Sequence, residues 1–333
     1  MISENIPLME LNEFLAEWHN DNPRILVHTS GSTGKPKPLM VEKRRMLNSA
    51  RITCDFLGLK PGDTALLCMP LDYIAGKMMV VRSLQRDLRL TSVRPSSHPL
   101  ADDALPSFTF AAMVPMQVYN TLKVPCERER LMRIRHLIIG GGAISDELAQ
   151  MIKPLPNAVW STYGMTETLS HIALRRLNGP DASLWYTPFD GVGISLNADG
   201  CLVIDAPEVC AEPLVTNDIA QLRTDDRTGK TLFRIKGRKD NVVCSGGIKI
   251  QIEEVEETLR PHLSAPFMIV KKQDEMLGEK AILLTESADL THIEEICRNT
   301  LPKYWVPREF LHIDHLPLTE TGKPKRTLPF TPR

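Results

Sequence analysis

What most restricts the fold of this chain is an alternation, between Arg24 and about Ser161, of short apolar runs with longer mixed segments. The runs are RILVHT, TALLCM, FTFAAMV, RHLIIG and AVWSTY, and the segments between them, such as Met40 to Leu57, have the length of helices. Strands spaced in this way predict an α/β sheet covered by helices on both faces. With 333 residues, 42% of them hydrophobic, the chain has the apolar surface for a substantial core, and its length predicts two domains.

The pattern changes after Pro180. GISLNADGCLVIDAP sets Asn-Ala-Asp-Gly between two alternating runs, which reads as a hairpin in a smaller β unit. FRIKGRKDNVVCSGGIKI then leads into IEEVEETLRPHL, a short helix closed by Pro261, and FMIVKKQ and AILLTE follow as paired strands. The expected organisation is α/β: a large N-terminal α/β domain with a β subdomain over residues 1–237, and a small C-terminal α+β domain over 238–333. The boundary falls near Arg238 to Asp240.

Forty basic residues against 41 acidic ones leave a formal charge of −1, which removes any global electrostatic case for nucleic acid or an anionic membrane. Any anion site has to be local. MISENIPLMELNEF lacks the basic, apolar, small-residue order of a signal peptide, and no apolar run reaches membrane-spanning length, so a cytoplasmic protein is expected. Seven cysteines, an odd number without a C-x-x-C pair, argue for buried free thiols rather than disulfides or structural zinc.

One segment has almost nothing to bury. In Thr29-Ser30-Gly31-Ser32-Thr33-Gly34-Lys35-Pro36-Lys37, Gly31 and Gly34 let successive N–H groups converge on one anion. Thr29, Ser30, Ser32 and Thr33 add hydroxyl donors there, and Lys35 adds a charge. That is a phosphate cradle, although a polar surface loop has a similar composition. It is not a Walker loop, because Thr29 stands where that motif needs glycine and Pro36 where it needs serine or threonine.

TSGSTGKPK resembles the phosphate loop of the adenylate-forming acyl-CoA synthetases, adenylation domains and luciferases, and further motifs follow in that family's order. Tyr163-Gly164-Met165-Thr166-Glu167 is similar to its Y-G-x-T-E element. The resemblance implies that Glu167 ligates magnesium, that Thr166 contacts phosphate and that Tyr163 stacks near adenine. Gly140-Gly141-Gly142-Ala143 resembles the adenine-binding turn, though alone it is equally a plain tight turn. Thr216-Asn217-Asp218 and Gly237-Arg238-Lys239-Asp240 resemble elements whose aspartate and arginine grip the ribose hydroxyls. That assigns Asp218 and Arg238 to the nucleotide, Asp240 to the hinge of the small domain, and Gly246 and Gly247 of Ser245-Gly246-Gly247 to the pantetheine channel. Asn217 replaces the usual glycine, and asparagine is the next residue best suited to a left-handed backbone. Pro317-Leu318-Thr319-Glu320-Thr321-Gly322-Lys323 resembles the closing motif, whose lysine, here Lys323, reaches the carboxylate and α-phosphate during adenylation.

The resemblance implies ATP, Mg2+ and coenzyme A, a small-molecule carboxylate as the acid, and a two-step ligation through an acyl-adenylate. It implies neither nucleic acid nor membrane insertion. Only 28 residues precede Thr29, fewer than is usual in the family, so the large domain is expected to be truncated at its start. Pro70-Leu71-Asp72-Tyr73 stands where the family often has Pro-Leu-Phe-His, which leaves the gating histidine without a counterpart. Within the family, Thr162 to Leu174 most resembles the o-succinylbenzoate-CoA ligase branch, whose acid carries a second, non-reacting carboxylate. Lys77, Ser170 and His171 are the candidates for that pocket; ordinary packing or solvent exposure is the competing reading of each. Another aryl- or acyl-CoA ligase, or a nucleotide-binding protein without ligase activity, are the alternatives.

Overall fold

The structure, a computed structural model, describes residues 8–28, 38–142, 144–317 and 325–326. The chain divides into two compact units: Met1–Ile194 with Ile204–Leu214 and Arg223–Phe233, and Ser195–Val203 with Val215–Leu222 and Arg234–Arg333.

The first unit is built on a seven-stranded sheet in the order Arg89–Ser92, Thr64–Leu67, Phe110–Met113, His136–Ile139, Ala158–Gly164, His171–Arg176, Thr187–Pro188. The first five of these strands are parallel, and each of the last two pairs antiparallel with the strand before it. Helices Ile74–Arg86, Pro115–Lys123, Pro125–Met132 and Asp146–Ile152 lie in the crossovers between the parallel strands, as short apolar strands buried on both faces require. TALLCM, FTFAAMV, RHLIIG and AVWSTY therefore sit in the sheet as expected.

RILVHT does not. Arg24–His28 pairs antiparallel with Pro38–Glu42 in a separate two-stranded sheet, with His28 opposite Pro38. Its partner is the next strand in the chain, and pairing between segments close in sequence costs little chain entropy. The mixed segment after it becomes helix Lys43–Leu57, which buries Met46, Ala50, Thr53, Cys54 and Leu57, spaced as one helical face, and ends on left-handed Gly58.

Gly193–Leu196 and Cys201–Asp205 are the hairpin read from GISLNADGCLVIDAP, closed by Asn197, whose side chain accepts from the N–H groups of Asp199 and Cys201. These two strands, Leu214–Thr224 and Thr231–Arg238 form a four-stranded sheet in that order.

The second unit contains a five-stranded sheet in which Phe267–Asp274 and Gly278–Thr285 pair antiparallel along their whole length. Its alternation is two-sided. Ile269 and Leu283 pack with Val255 and Leu259 of helix Ile252–Leu259 and with Ile293 and Cys297 of helix Leu290–Thr300. Met268, Val270, Ile282 and Leu284 form a second cluster with Ile313 and Leu316. This is α+β architecture, and the chain as a whole is α/β.

Candidate functional site

In an open α/β sheet, ligands bind beyond the carboxyl ends of parallel strands. Two of the motifs that the resemblance assigns to the nucleotide lie there, on adjacent strands. Gly140–Gly142 follows His136–Ile139, and Tyr163-Gly164 ends Ala158–Gly164, with Ile139 opposite Ser161. They touch: a β-carbon on Gly140 would lie 2.4 Å from Thr162 Oγ1. Gly141 has φ +81°, so the turn reverses in a backbone region that glycine occupies freely. The Tyr163 ring packs edge-on against Phe233 at 5.0 Å and lies 5.8 Å from Tyr186.

Beyond Tyr163 the backbone is tightly specified. The pairing with His171–Arg176 shifts register at Gly164, where a β-carbon would stand 2.2 Å from the Ser170 carbonyl oxygen. Thr168 Oγ1 accepts from the Met165 N–H at 2.9 Å, and Leu169 adopts φ +65°, a rare conformation for a branched side chain. This turn buries Thr166 and leaves Glu167 exposed. The Cys210 thiol donates to the Glu167 carbonyl at 3.4 Å and is pushed up to about 11 by burial, so it is an inert neighbour. Among the described residues no hydrogen bond or ion pair holds the Glu167 carboxylate. An uncommitted hard oxygen donor fits magnesium, which takes one or two protein carboxylates and completes its shell with nucleotide phosphates and water.

Ser170 is half-buried and His171 is buried beside it. His171 Nε2 lies 3.1 Å from Thr53 Oγ1 and its Nδ1 3.2 Å from Ser170 Oγ. Thr53 Oγ1 donates to the Ser49 carbonyl, so it accepts from His171 Nε2–H; Nδ1 then accepts from Ser170, whose oxygen accepts from Arg82 Nη2 at 2.6 Å. The chain of donors runs from Arg82 through Ser170, His171 and Thr53 to a backbone oxygen, and it requires a neutral imidazole. Burial, with the Arg82 charge adding to it, holds His171 well below its ordinary value, in agreement.

Arg82 is the residue that sequence reasoning missed. It is 2% exposed, Nε has no hydrogen-bond partner, and no carboxylate pairs with it among the described residues. Burial pulls its pKa down to about 10, which still leaves a cation at neutral pH. Lys77, the cation expected near Ser170, lies on the same helix with its ammonium over the Phe14 ring at 5.1 Å. Burial lowers its pKa, against the opposing pull of Glu17 and Asp72. Five helical residues separate the two by about 140° around the axis, so one helix face cannot hold both. A cavity of about 510 Å³ in the first unit is lined by Trp160, Arg176, Trp185 and Arg223 and by none of the candidate residues.

In the second unit, Asp218, Arg238 and Asp240 come together. Arg238 Nη1 is 3.4 Å from Asp218 Oδ1 and Nη2 is 2.9 Å from Asp240 Oδ2, while Asn217 Nδ2 lies 3.5 Å from the same Asp240 oxygen. Gly246 and Gly247, with φ +56° and +82°, close the two-residue hairpin between Val242–Ser245 and Ile248–Gln251. Thr29, Ser30, Gly31, Ser32, Thr33, Gly34 and Lys35 lie outside the described residues, as do Ala143 and Lys323.

The AMP-binding enzyme family matches residues 5–211, and the chain belongs to that family. It is 33% identical to the acyl-CoA synthetase (AMP-forming)/AMP-acid ligase II-like protein from Dyadobacter fermentans DSM 18053, with a TM-score of 0.66 over 94% of this chain and 91% of that one. It is 25% identical to the 2-succinylbenzoate–CoA ligase of Bacillus mycoides strain KBAB4 over 96% of this chain and 74% of the relative. The fold is also that of o-succinylbenzoate coenzyme A synthetase from Bacillus subtilis in complex with ATP and magnesium ion, with a TM-score of 0.71 at 23% identity over 90% and 68% of the two chains. Among the described residues, no helix is long and apolar enough to cross a membrane.

Proposed function

We propose that the protein is an AMP-forming acid–thiol ligase that activates an aromatic acid bearing a second carboxylate, with o-succinylbenzoate as the substrate that fits best. The acid's carboxylate attacks the α-phosphate of ATP to give acyl-adenylate and pyrophosphate, and the thiol of coenzyme A then displaces AMP. No side-chain nucleophile is needed, because the mixed anhydride itself carries a good leaving group. Tyr163 and the Gly140–Gly142 turn receive adenine, Asp218 and Arg238 the ribose, and Thr166 a phosphate oxygen. The hydroxyls and backbone of Thr29–Lys35 cradle the phosphates, and Lys323 meets the charge that develops between carboxylate and α-phosphate. Glu167 would hold magnesium, which offsets the repulsion between a carboxylate and a triphosphate. Asp240 is the pivot between the half-reactions, and Gly246 and Gly247 line the path of the pantetheine arm.

The observation that carries the choice of acid is Arg82. A buried guanidinium with no carboxylate beside it among the described residues is unfavourable, because a desolvated charge costs several kcal/mol unless it is paired. A distal carboxylate seated beside it would supply the missing charge, with Ser170 and His171 fixing the guanidinium rather than meeting the acid themselves. Lys77, held over Phe14, leaves this role to Arg82.

Pyrophosphate release across a panel of o-succinylbenzoate, benzoate and a fatty acid tests the reading. The expected order puts o-succinylbenzoate first. Arg82→Met should raise KM for o-succinylbenzoate by about 100-fold, the order of a lost charge pair, while leaving benzoate within twofold. Faster turnover of benzoate or the fatty acid by the parent would overturn the acid assignment. Equal effects of Arg82→Met on both aromatic acids would remove Arg82 from the pocket, and no pyrophosphate release with any acid would overturn the ligase.

A further inference from the structure

We infer that Arg326 and Glu256 form a clamp that sets the position of the closing motif, with Arg326 a positioning residue for the adenylation half-reaction that acts through Lys323. This rests on the ligase reading above.

Glu256 projects from helix Ile252–Leu259 and is 7% exposed. Arg326 approaches it with both terminal nitrogens, Nη1 to Oε1 at 2.5 Å and Nη2 to Oε2 at 2.8 Å. The Ile269 backbone closes the arrangement from both sides: its N–H donates to Glu256 Oε1 at 2.7 Å, and its carbonyl accepts from Arg326 Nη1 at 2.7 Å. A planar fork on a carboxylate, with a backbone donor and acceptor completing the set, fixes the guanidinium in direction as well as distance. One residue earlier, the Lys325 N–H donates to the Pro317 carbonyl at 2.8 Å. The chain is thus tied at Pro317, at Lys325 and at Arg326, on both sides of Lys323, whose own placement lies outside the described residues.

Such a clamp has one consequence that a general staple lacks. Lys323 is needed while charge develops on the carboxylate and α-phosphate, and it is idle when a thiol displaces AMP. Loosening the clamp should therefore slow the first half-reaction and spare the second.

The experiment uses the full chain with Arg326→Met, and also the double variant Glu256→Gln with Arg326→Met, which leaves no buried charge unpaired if the single variant folds poorly. Acid-dependent pyrophosphate release should fall about 100-fold, the order expected when a catalytic group is displaced by about 1 Å. Thioester formation from supplied acyl-adenylate should stay within twofold of the parent. Trypsin cleavage after Lys325 should quicken about tenfold in both variants, in proportion to the open fraction. Equal losses in the two half-reactions, or adenylation at the parent rate, would overturn the positioning role. Should the parent release no pyrophosphate with any acid, the ligase reading fails, and the clamp is then judged by cleavage alone: unchanged trypsin rates would overturn it as well.

Discussion

At the scale of single residues, the strongest constraints are steric and sit beside the chemistry. Gly164 is the sharpest case. Its missing β-carbon lets the strand carrying Tyr163 approach the Ser170 carbonyl, and the register shift there sets Thr166 inward and Glu167 outward. Gly164→Ala would place a methyl 2.2 Å from that oxygen, so one strand must move. The expected cost is on the order of 2–4 kcal/mol, comparable to overpacking at a rigid site, visible as a lower denaturant midpoint. Adenylation should suffer more than global stability explains, because Thr166 and Glu167 hang from the displaced turn. A midpoint within experimental error of the parent would show that the turn yields easily. Arg82 makes the complementary point: its meaning lies in what surrounds it, namely a hydroxyl, a thioether and no carboxylate among the described residues.

Between elements, the buried donor chain joins helix Ile74–Arg86, helix Lys43–Leu57 and strand His171–Arg176 through one histidine. Its direction demands neutral His171, and the imidazole is held well below its ordinary value. The sign of the pH dependence follows. Above about pH 8 both folded and unfolded histidine are neutral and contribute no slope. As pH falls from the unfolded value toward the depressed folded value, only the unfolded chain takes up the proton. Stability should then fall by up to about 1.4 kcal/mol per pH unit. His171→Gln keeps a donor and an acceptor without the titration, so its stability should fall less steeply between pH 6.5 and 5.5. Parallel slopes for the two proteins in urea titrations would exclude His171 as the source.

For the whole molecule, the proposed ligation has two half-reactions share one set of motifs. Tyr163, Thr166 and Glu167 belong to one unit, while Asp218, Arg238 and Asp240 belong to the other. Asp240 lies in the single turn Lys239–Asn241 that follows strand Thr231–Arg238, a short non-repetitive stretch able to absorb a change in φ and ψ. Asp240→Pro locks φ there and restricts Lys239 before it. Acyl-adenylate formation should survive in this variant, and thioester formation from supplied acyl-adenylate should drop by at least about tenfold, a gating loss of roughly 1.4 kcal/mol. Thioester formation at the parent rate would move the pivot elsewhere.

Much of this protein is legible in one dimension. Residue identity alone is what proposes roles for Thr29–Lys35, Tyr163–Glu167 and Lys323, because hydroxyls, carboxylates and ammonium groups keep their chemistry wherever the chain goes. Periodicity locates the strands from TALLCM to AVWSTY, the GISLNADGCLVIDAP hairpin and the FMIVKKQ and AILLTE pair, because the side-chain period follows from local backbone geometry. The partners of those elements are another matter. That RILVHT leaves the main sheet, that Arg82 rather than Lys77 meets Ser170, and that Arg326 reaches back to Glu256 are contacts between residues distant in sequence. Local propensity carries no information about which of two cations on one helix turns inward, or which carboxylate a distant arginine finds. Burial makes that choice, by favouring the packing in which desolvated polar groups find partners.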